Sequence, residues 1–293
     1  MRHETSGEGP NDLQVERGTL YVVATPIGNL GDLSVRARSV LDQVDCIAAE
    51  DTRVTRRLFA GGAPRARLTA LHAHNEHARL QRIVGQLREG ASVALVSDAG
   101  TPGISDPGSR LVDAAHEAGL PVRVLPGPSS VMAALSICGL DIARFTFCGF
   151  LPATRAARRR ALSALGAAPG ALVFLEAPHR VLESVPDMAE VLGGERRVAI
   201  ARELTKRFES VHRCRLDAAA DWLAGDPDRV RGEFVLVVEA DSTPPTGDEA
   251  LARRLAEALA GELPPARAAG VIARTSGVDR EQAWRLALAA RSG

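Results

Sequence analysis

Four polar clusters stand directly behind apolar runs in this 293-residue sequence, and their side chains are of the kinds that bind charged groups or move protons. Glu50-Asp51-Thr52-Arg53 follows residues 44–49, and Leu71-His72-Ala73-His74-Asn75-Glu76-His77 follows 68–71. Glu176-Ala177-Pro178-His179-Arg180 closes the run 171–176, and Arg202-Glu203-Leu204-Thr205-Lys206 follows 197–201. Carboxylates at the end of a buried strand are costly unless paired or used, so these positions point to ligand binding or proton transfer. His72, His74 and His77 have a spacing open to a metal, yet no cysteine and no evident fourth ligand accompany them. The cluster reads as polar substrate contacts, with no metal. Lys206 is the only lysine among 36 basic residues. Either a compact, titratable ammonium is needed there, or the lysine is a surface remnant.

Three loops rich in glycine and proline share this placement. They are Ala24-Thr25-Pro26-Ile27-Gly28-Asn29-Leu30-Gly31-Asp32, the long segment from Val96 through Ser97-Asp98-Ala99-Gly100-Thr101-Pro102-Gly103-Ile104-Ser105-Asp106 to Ser109, and Leu125-Pro126-Gly127-Pro128-Ser129-Ser130. Small residues let the backbone approach a ligand closely. No Gly-Lys-Ser/Thr follows the glycines, and Gly28 and Gly31 form only a G-x-x-G, so neither phosphate fingerprint is present. Polar backbone and small hydroxyls suit a zwitterionic or nucleoside-type ligand better than a pyrophosphate.

The elements that must position these loops alternate. Apolar runs at 19–24, 44–49, 68–71, 93–96 and 122–125 are separated by helical patterns at 34–42, 53–59, 77–88 and 111–118. That alternation predicts an α/β fold with a parallel sheet covered on both faces. Beyond residue 140 the strand patterns at 145–150, 171–176, 197–201, 208–214 and 234–239, with helices at 155–165 and 181–192, predict a second α/β domain on a mixed sheet. The expected organisation is a disordered polar tail (1–17), a first domain (18–138), a second (139–240), a linker (241–248) and a small helical piece (249–293). In the last, helices at 263–275 and 279–290 around Ser276-Gly277 fit a helix-turn-helix.

Zero net charge excludes a global basic field, so any RNA site must be a local patch. The one clear basic run holds Arg155, Arg158, Arg159 and Arg160, either a solvated helix face or a grip on phosphates. Four scattered cysteines read as free thiols in a reducing cytosol, and no apolar run reaches transmembrane length. Two domains with polar clusters at their strand ends predict a shared cleft.

The motifs Thr25-Pro26-Ile27-Gly28-Asn29-Leu30, Glu50-Asp51-Thr52-Arg53, His72-Ala73-His74-Asn75-Glu76, Ser97-Asp98-Ala99-Gly100-Thr101-Pro102-Gly103, Pro126-Gly127-Pro128-Ser129, Glu176-Ala177-Pro178-His179-Arg180 and Arg202-Glu203-Leu204-Thr205-Lys206 occur in that order. Together they resemble the ribosomal small-subunit methyltransferase I family of the tetrapyrrole methylase superfamily, from Gly18 to Glu239, and the tail resembles that family's helix-turn-helix domain. The resemblance implies a tetrapyrrole-methylase-like two-domain fold and S-adenosylmethionine as methyl donor, held between the domains. It implies methylation of the ribose 2′-hydroxyl of a decoding-centre cytidine in 16S rRNA, within the small ribosomal subunit, by a cytoplasmic homodimer that needs no membrane. A tetrapyrrole C-methyltransferase and a non-catalytic assembly factor are the rival readings.

By position in the matched motifs, Pro26, Gly28, Asn29, Asp98, Gly100, Gly103, Ile104, Ser105, Ser129, Ser130 and Leu175 are expected at the donor. Asp51, His74, Glu76, Glu176 and His179 are the candidate bases, with Glu50, Arg53 and Asn75 beside them. Lys206 is expected to act as a lowered-pKa base or to orient ribose and phosphate, and Glu76 and Lys206 are the preferred pair between which sequence does not choose.

Overall fold

The computed structural model describes residues 14–59, 62–72, 76–166, 168, 170–241 and 248–292. In the first half, β1 (Leu20–Val23), α1 (Val35–Gln43), β2 (Cys46–Ala49), α2 (Thr52–Arg56), β3 (Arg67–Ala70), α3 (Glu76–Arg88), β4 (Val93–Val96), α4 (Ser109–Glu117) and β5 (Val122–Leu125) follow one another. Helical crossovers make every strand pairing parallel, in the order β3-β2-β4-β1-β5. Side chains alternate between two buried faces. Tyr21, Val23, Ile47, Ala49 and Ala94 meet α1 and the turn after α2. Leu20, Cys46, Ala48, Val93 and Leu95 meet α3 and α4 through Ile83, Leu87 and Leu111. Burial on both faces explains the continuous apolar runs of this sheet. All five carboxyl ends point the same way, so the loops after β1, β2, β4 and β5 gather at one rim.

The second half runs α5 (Ser130–Ile137), β6 (Phe145–Phe150), α6 (Arg155–Leu165), β7 (Ala171–Glu176), α7 (Val181–Leu192), β8 (Arg197–Arg202), β9 (Ser210–Arg215), α8 (Leu216–Ala224) and β10 (Phe234–Val238). Its sheet has the order β6-β7-β10-β8-β9, with β6 parallel to β7 and the other pairs antiparallel. One face, with Leu172, Phe174, Ile200 and Leu236, is covered by α6, α7 and α8. The other, with Val173, Ala199, Val235 and Val237, receives Val131, Ala134 and Leu135 of α5, and Ile27 and Leu204 join the same cluster. Each fully buried Val or Leu there contributes about 1.5–3 kcal/mol. Leaving the first sheet, α5 thus fastens the second sheet against it and holds the rim loops opposite β6, β7 and β10.

Three findings depart from the sequence patterns. The strand expected at 208–214 starts at Ser210, because Glu203 and Thr205 adopt left-handed conformations (φ +52° and +64°) and the chain turns back before pairing. The tail holds three helices, α9 (Glu249–Leu259), α10 (Pro265–Ser276) and α11 (Arg280–Ser292), around Ala252, Ala256, Ala268, Ile272 and Ala283. Gly277, at φ +75°, ends α10 as a left-handed cap.

The third departure is a correction to the basic run. Arg158 is 2% exposed; its Nε donates to Asp187 Oδ2 at 2.7 Å and its Nη1 to the Ala153 carbonyl at 3.2 Å. Arg155 Nε donates to Asp187 Oδ1 at 3.0 Å, and Arg159 pairs with Glu190. Burial pushes the Asp187 carboxyl up, but the guanidiniums of Arg158 and Arg155 outweigh it and leave it below its ordinary value. Adjacent helices on one sheet face bring α6 arginines onto α7 acids spaced at helical intervals. Of the run, Arg160 alone is exposed without an ion pair among the described residues. No helix of the described residues is long and apolar enough to cross a membrane.

Candidate active site

The loop after β1 is stitched to the loop after β4. Thr25 N donates to Gly100 O at 2.9 Å, Gly100 N returns the bond to Thr25 O at 3.0 Å, and the buried Thr25 hydroxyl donates to Ser97 O at 3.1 Å. Gly100 sits at φ +84°, where a side chain would be strained. Thr101 Oγ1 donates to Pro128 O at 3.2 Å, tying in the loop after β5. Ser129 then caps α5, accepting from Met132 N, so the amino end of that helix opens at the same place.

Between these loops and the second sheet lies a cleft of about 360 Å³. From the first half come Ile27, Glu50, Asp98, Gly100, Ile104, Asp106, Ser129 and Ser130. Phe147, Phe150, Leu175, Glu176, Leu204 and Glu233 close it from the second. Five of its lining residues are carboxylic, three of them, Glu50, Asp98 and Asp106, from the first half. Asp98 N donates to Glu50 Oε2 at 3.4 Å, and Asp51 N donates to Asp98 Oδ1 at 2.9 Å, which holds the two acids side by side. Burial raises the pKa of Glu50 and of Asp98. Asp106 is pushed up to about 6, first by burial and then by the charge of Glu50, against a hydrogen bond with Ser97. At the mouth, Asp51 is ionised down to about 2 by its bonds with Arg53, whose Nη2 lies 2.6 Å away.

Glu176 is 2% exposed; Oε1 accepts from Ala177 N at 2.9 Å, while Oε2 is buried with no hydrogen-bond partner. A buried carboxylate oxygen left open costs about 1–3 kcal/mol or more, so it is a place for a ligand donor. Lys206 lies across the loop after β1: a Cβ on Gly28 would stand 2.4 Å from Lys206 Cγ. Its Nζ bonds Glu203 Oε1 at 2.9 Å and Glu233 Oε2 at 3.1 Å. Burial works to lower its pKa, but the two glutamates prevail and raise it.

The model of the tetrapyrrole (corrin/porphyrin) methylases matches residues 19–220. The chain is 47% identical over 274 residues to the ribosomal RNA small subunit methyltransferase I of Pseudomonas aeruginosa, spanning 92% of this chain and 97% of that one. Its likeness to the protein of the same name from Escherichia coli O157:H7 is 46%, over 93% and 95%. The chain belongs to the ribosomal RNA small subunit methyltransferase I family of the tetrapyrrole methylases. Among solved structures, uroporphyrin-III-C-methyltransferase from Thermus thermophilus matches with a TM-score of 0.56 at 22% identity, covering 76% of this chain and 95% of that one. Diphthine synthase matches with 0.58 at 15%, over 76% and 89%. At these identities the likeness is one of fold.

In this methyltransferase the positions expected from the motifs distribute unevenly. Asp98, Gly100, Ile104, Ser129, Ser130 and Leu175 line the cleft, as do Glu50 and Glu176. Pro26 is buried beneath the loop, and Asn29 spends its side chain accepting from Gly31 N at 3.0 Å. Gly103 (φ +81°) and Ser105 (φ +66°) shape the turn behind Ile104 without lining the cleft. His179 is exposed beyond Pro178. Glu76 is the first residue of α3, while His74 and Asn75 lie outside the described residues. Sequence reasoning missed Asp106, Phe147, Phe150 and Glu233, and it quoted Glu203 in its motif without giving it a role of its own. Asp106 stands in the quoted loop, where a second acid eight residues after Asp98 was the available signal. Phe147, Phe150 and Glu233 carry no signal, because only the packing of the second sheet brings them to the cleft.

Proposed function

We propose that this methyltransferase uses S-adenosylmethionine to methylate the ribose 2′-hydroxyl of a decoding-centre cytidine in 16S rRNA, within the small subunit. The single observation that carries the donor assignment is the split charge of the cleft. The positive amino end of α5, with Ser129 and Ser130, suits a carboxylate, and Glu50, Asp98 and Asp106 in the same cleft suit cationic groups. A zwitterion that also carries a positive sulfur matches that pattern, and Gly100 leaves room for it beside the backbone. When bound, the donor supplies an electrophilic methyl carbon.

The protein's own task is alignment and removal of one proton. Phe150, 56% exposed at the mouth, offers a flat face to an unpaired nucleobase. Lys206, held cationic by Glu203 and Glu233, is suited to orient ribose and phosphate rather than to accept a proton. Proton removal then falls to a carboxylate. Glu176 offers the open Oε2 in the cleft, and Glu76 is the other candidate. In-line alignment can supply up to about 7–11 kcal/mol, and general-base help about 10²–10⁴-fold. The acidic wall also turns RNA phosphates away, so a single nucleoside enters while the backbone stays outside. A homodimer in the cytoplasm completes the reading.

The test is incubation of unmethylated small subunits with enzyme and labelled donor, followed by nucleoside mass spectrometry and mapping of the methyl group. A 2′-O-methylcytidine in 16S rRNA is the expected product. Label on a base, or on a tetrapyrrole offered in parallel, would overturn the assignment.

A further inference from the structure

Three of the four α6 arginines are paired with acids of α7, leaving only Arg160, yet a polyanionic substrate needs positive charge somewhere outside an acidic cleft. Between residues 34 and 70 the chain carries Arg36, Arg38, Arg53, Arg56, Arg57, Arg65 and Arg67 against Asp42, Asp45, Glu50 and Asp51. Three of those acids are committed. Glu50 lines the cleft, Asp51 is bound by Arg53, and Asp45 accepts from Ser92 N and Oγ at 2.8 and 2.7 Å. Arg56, Arg57, Arg65 and Arg67 are exposed and have no ion pair among the described residues.

They lie together. Leu58 and Phe59, just after α2, and Ala66, just before β3, share the cluster that α1 covers, so α1, α2 and the start of β3 form one flank of the first sheet. Arg38 stacks over the Phe59 ring at 5.7 Å, fastening α1 to that turn. The flank begins at the cleft: α2 starts one residue after Asp51, whose amide holds Asp98. Arg56 and Arg57 stand about 8 Å further along at helical rise. On the edge strand, Arg67 is about 10 Å from Ala70, which pairs with Ala49 at the cleft end. Arg56 and Arg57 are adjacent, and Arg65 and Arg67 are two residues apart, about 7 Å in extended chain, so within each pair the charges lie inside a Debye length of about 8 Å and act together.

We propose that this flank, centred on Arg56, Arg57, Arg65 and Arg67, grips the rRNA phosphates that flank the target nucleotide. The inference rests on the rRNA reading above and assigns the electrostatic part of substrate binding to the α2–β3 edge. Guanidiniums on a short helix and an edge strand bind a backbone without reading its sequence, which leaves the choice of nucleotide to the cleft and to subunit shape.

Binding of the full-length protein to small subunits, measured across roughly 50–300 mM KCl, a sixfold range of salt, tests this. In R56Q/R57Q/R65Q/R67Q the slope of log affinity against log salt should fall by about 3, at roughly 0.7–0.9 for each lost phosphate contact. Donor binding by calorimetry should stay at the wild-type value, since none of the four lines the cleft. R155Q/R159Q, whose guanidiniums are paired with Asp187 and Glu190, should keep the wild-type slope. An unchanged slope in the fourfold variant, with wild-type enzyme still methylating the subunit, overturns the flank and spares the function. Absence of methyl transfer by wild-type enzyme overturns the function itself. A slope that falls on intact subunits but not on protein-free 16S rRNA would give the flank a protein partner, against this proposal.

Discussion

At Asp106, burial and the charge of Glu50 act in the same direction and move the carboxyl up to about 6. Its folded value is raised, so it favours the folded state most at acid pH, below its ordinary value near 3.8, and that contribution is lost as pH rises through about 6. Without donor, wild-type Tm relative to D106N should therefore decline between pH 4 and 6.5. Calorimetry should show donor affinity rising over the same interval in wild type, as the carboxylate forms opposite a cation, and rising less in D106N, where only Glu50 and Asp98 still titrate. Parallel pH profiles for the two proteins would remove Asp106 from the donor site. At Lys206 the stem lies on Gly28 and the ammonium lies between two glutamates. K206R keeps the charge but not the shape, and a displacement of about 1 Å costs up to ~10²-fold in turnover. Rate measurements on small subunits should show that loss in kcat, with donor affinity close to wild type. Normal turnover in K206R returns the lysine to the surface-remnant reading.

The α6–α7 pair is an element whose charges are internal. Asp187 receives both Arg155 and Arg158, and the Arg158–Asp187 contact is buried on both sides. R158A leaves a buried carboxylate with its weaker partner and should cost about 3–5 kcal/mol in urea unfolding. The double variant R158M/D187L should recover most of that, because apolar side chains of similar volume replace the pair without its desolvation penalty. A loss below 1 kcal/mol in R158A would mean that the ion pair is not holding the helices. Gly108 is a second element-scale constraint, since it stands at φ +123° where a Cβ would meet Leu95 Cδ2 at 2.7 Å. It lets α4 start against the end of β4, and G108A should lower stability as both strain and overlap are relieved by moving the donor loop.

For the molecule as a whole, net charge is zero while its charges are sorted: acids in the cleft, spent pairs on α6 and α7, unpaired arginines on the α2–β3 flank. A local field of this size should hold naked RNA weakly and leave specificity to the shape of a folded target. A short oligonucleotide containing the target cytidine should be methylated far more slowly than intact small subunits in a filter assay at the same concentration. Comparable rates on the two would show that the cleft alone recognises its nucleotide.

By itself the sequence determined the local elements and where their loops fall. Runs buried on both faces and glycine-rich turns act over a few residues, so their signals are printed in order along the chain. The motif loops and the parallel sheet follow from those local rules, and eight of the positions named from the motifs, Glu50 and Glu176 among them, line the cleft. Only the tertiary structure decided which charges are free. Whether an arginine is a phosphate ligand or half of a buried pair depends on what stands 30 residues away, and Asp187 opposite Arg158 leaves no trace at Arg158 itself. The same holds for the raised Asp106, the cationic Lys206 and the Phe150 face at the mouth. Charge state and exposure are set by neighbours brought in through α5 and the second sheet, and that packing is a property of the folded molecule rather than of any segment.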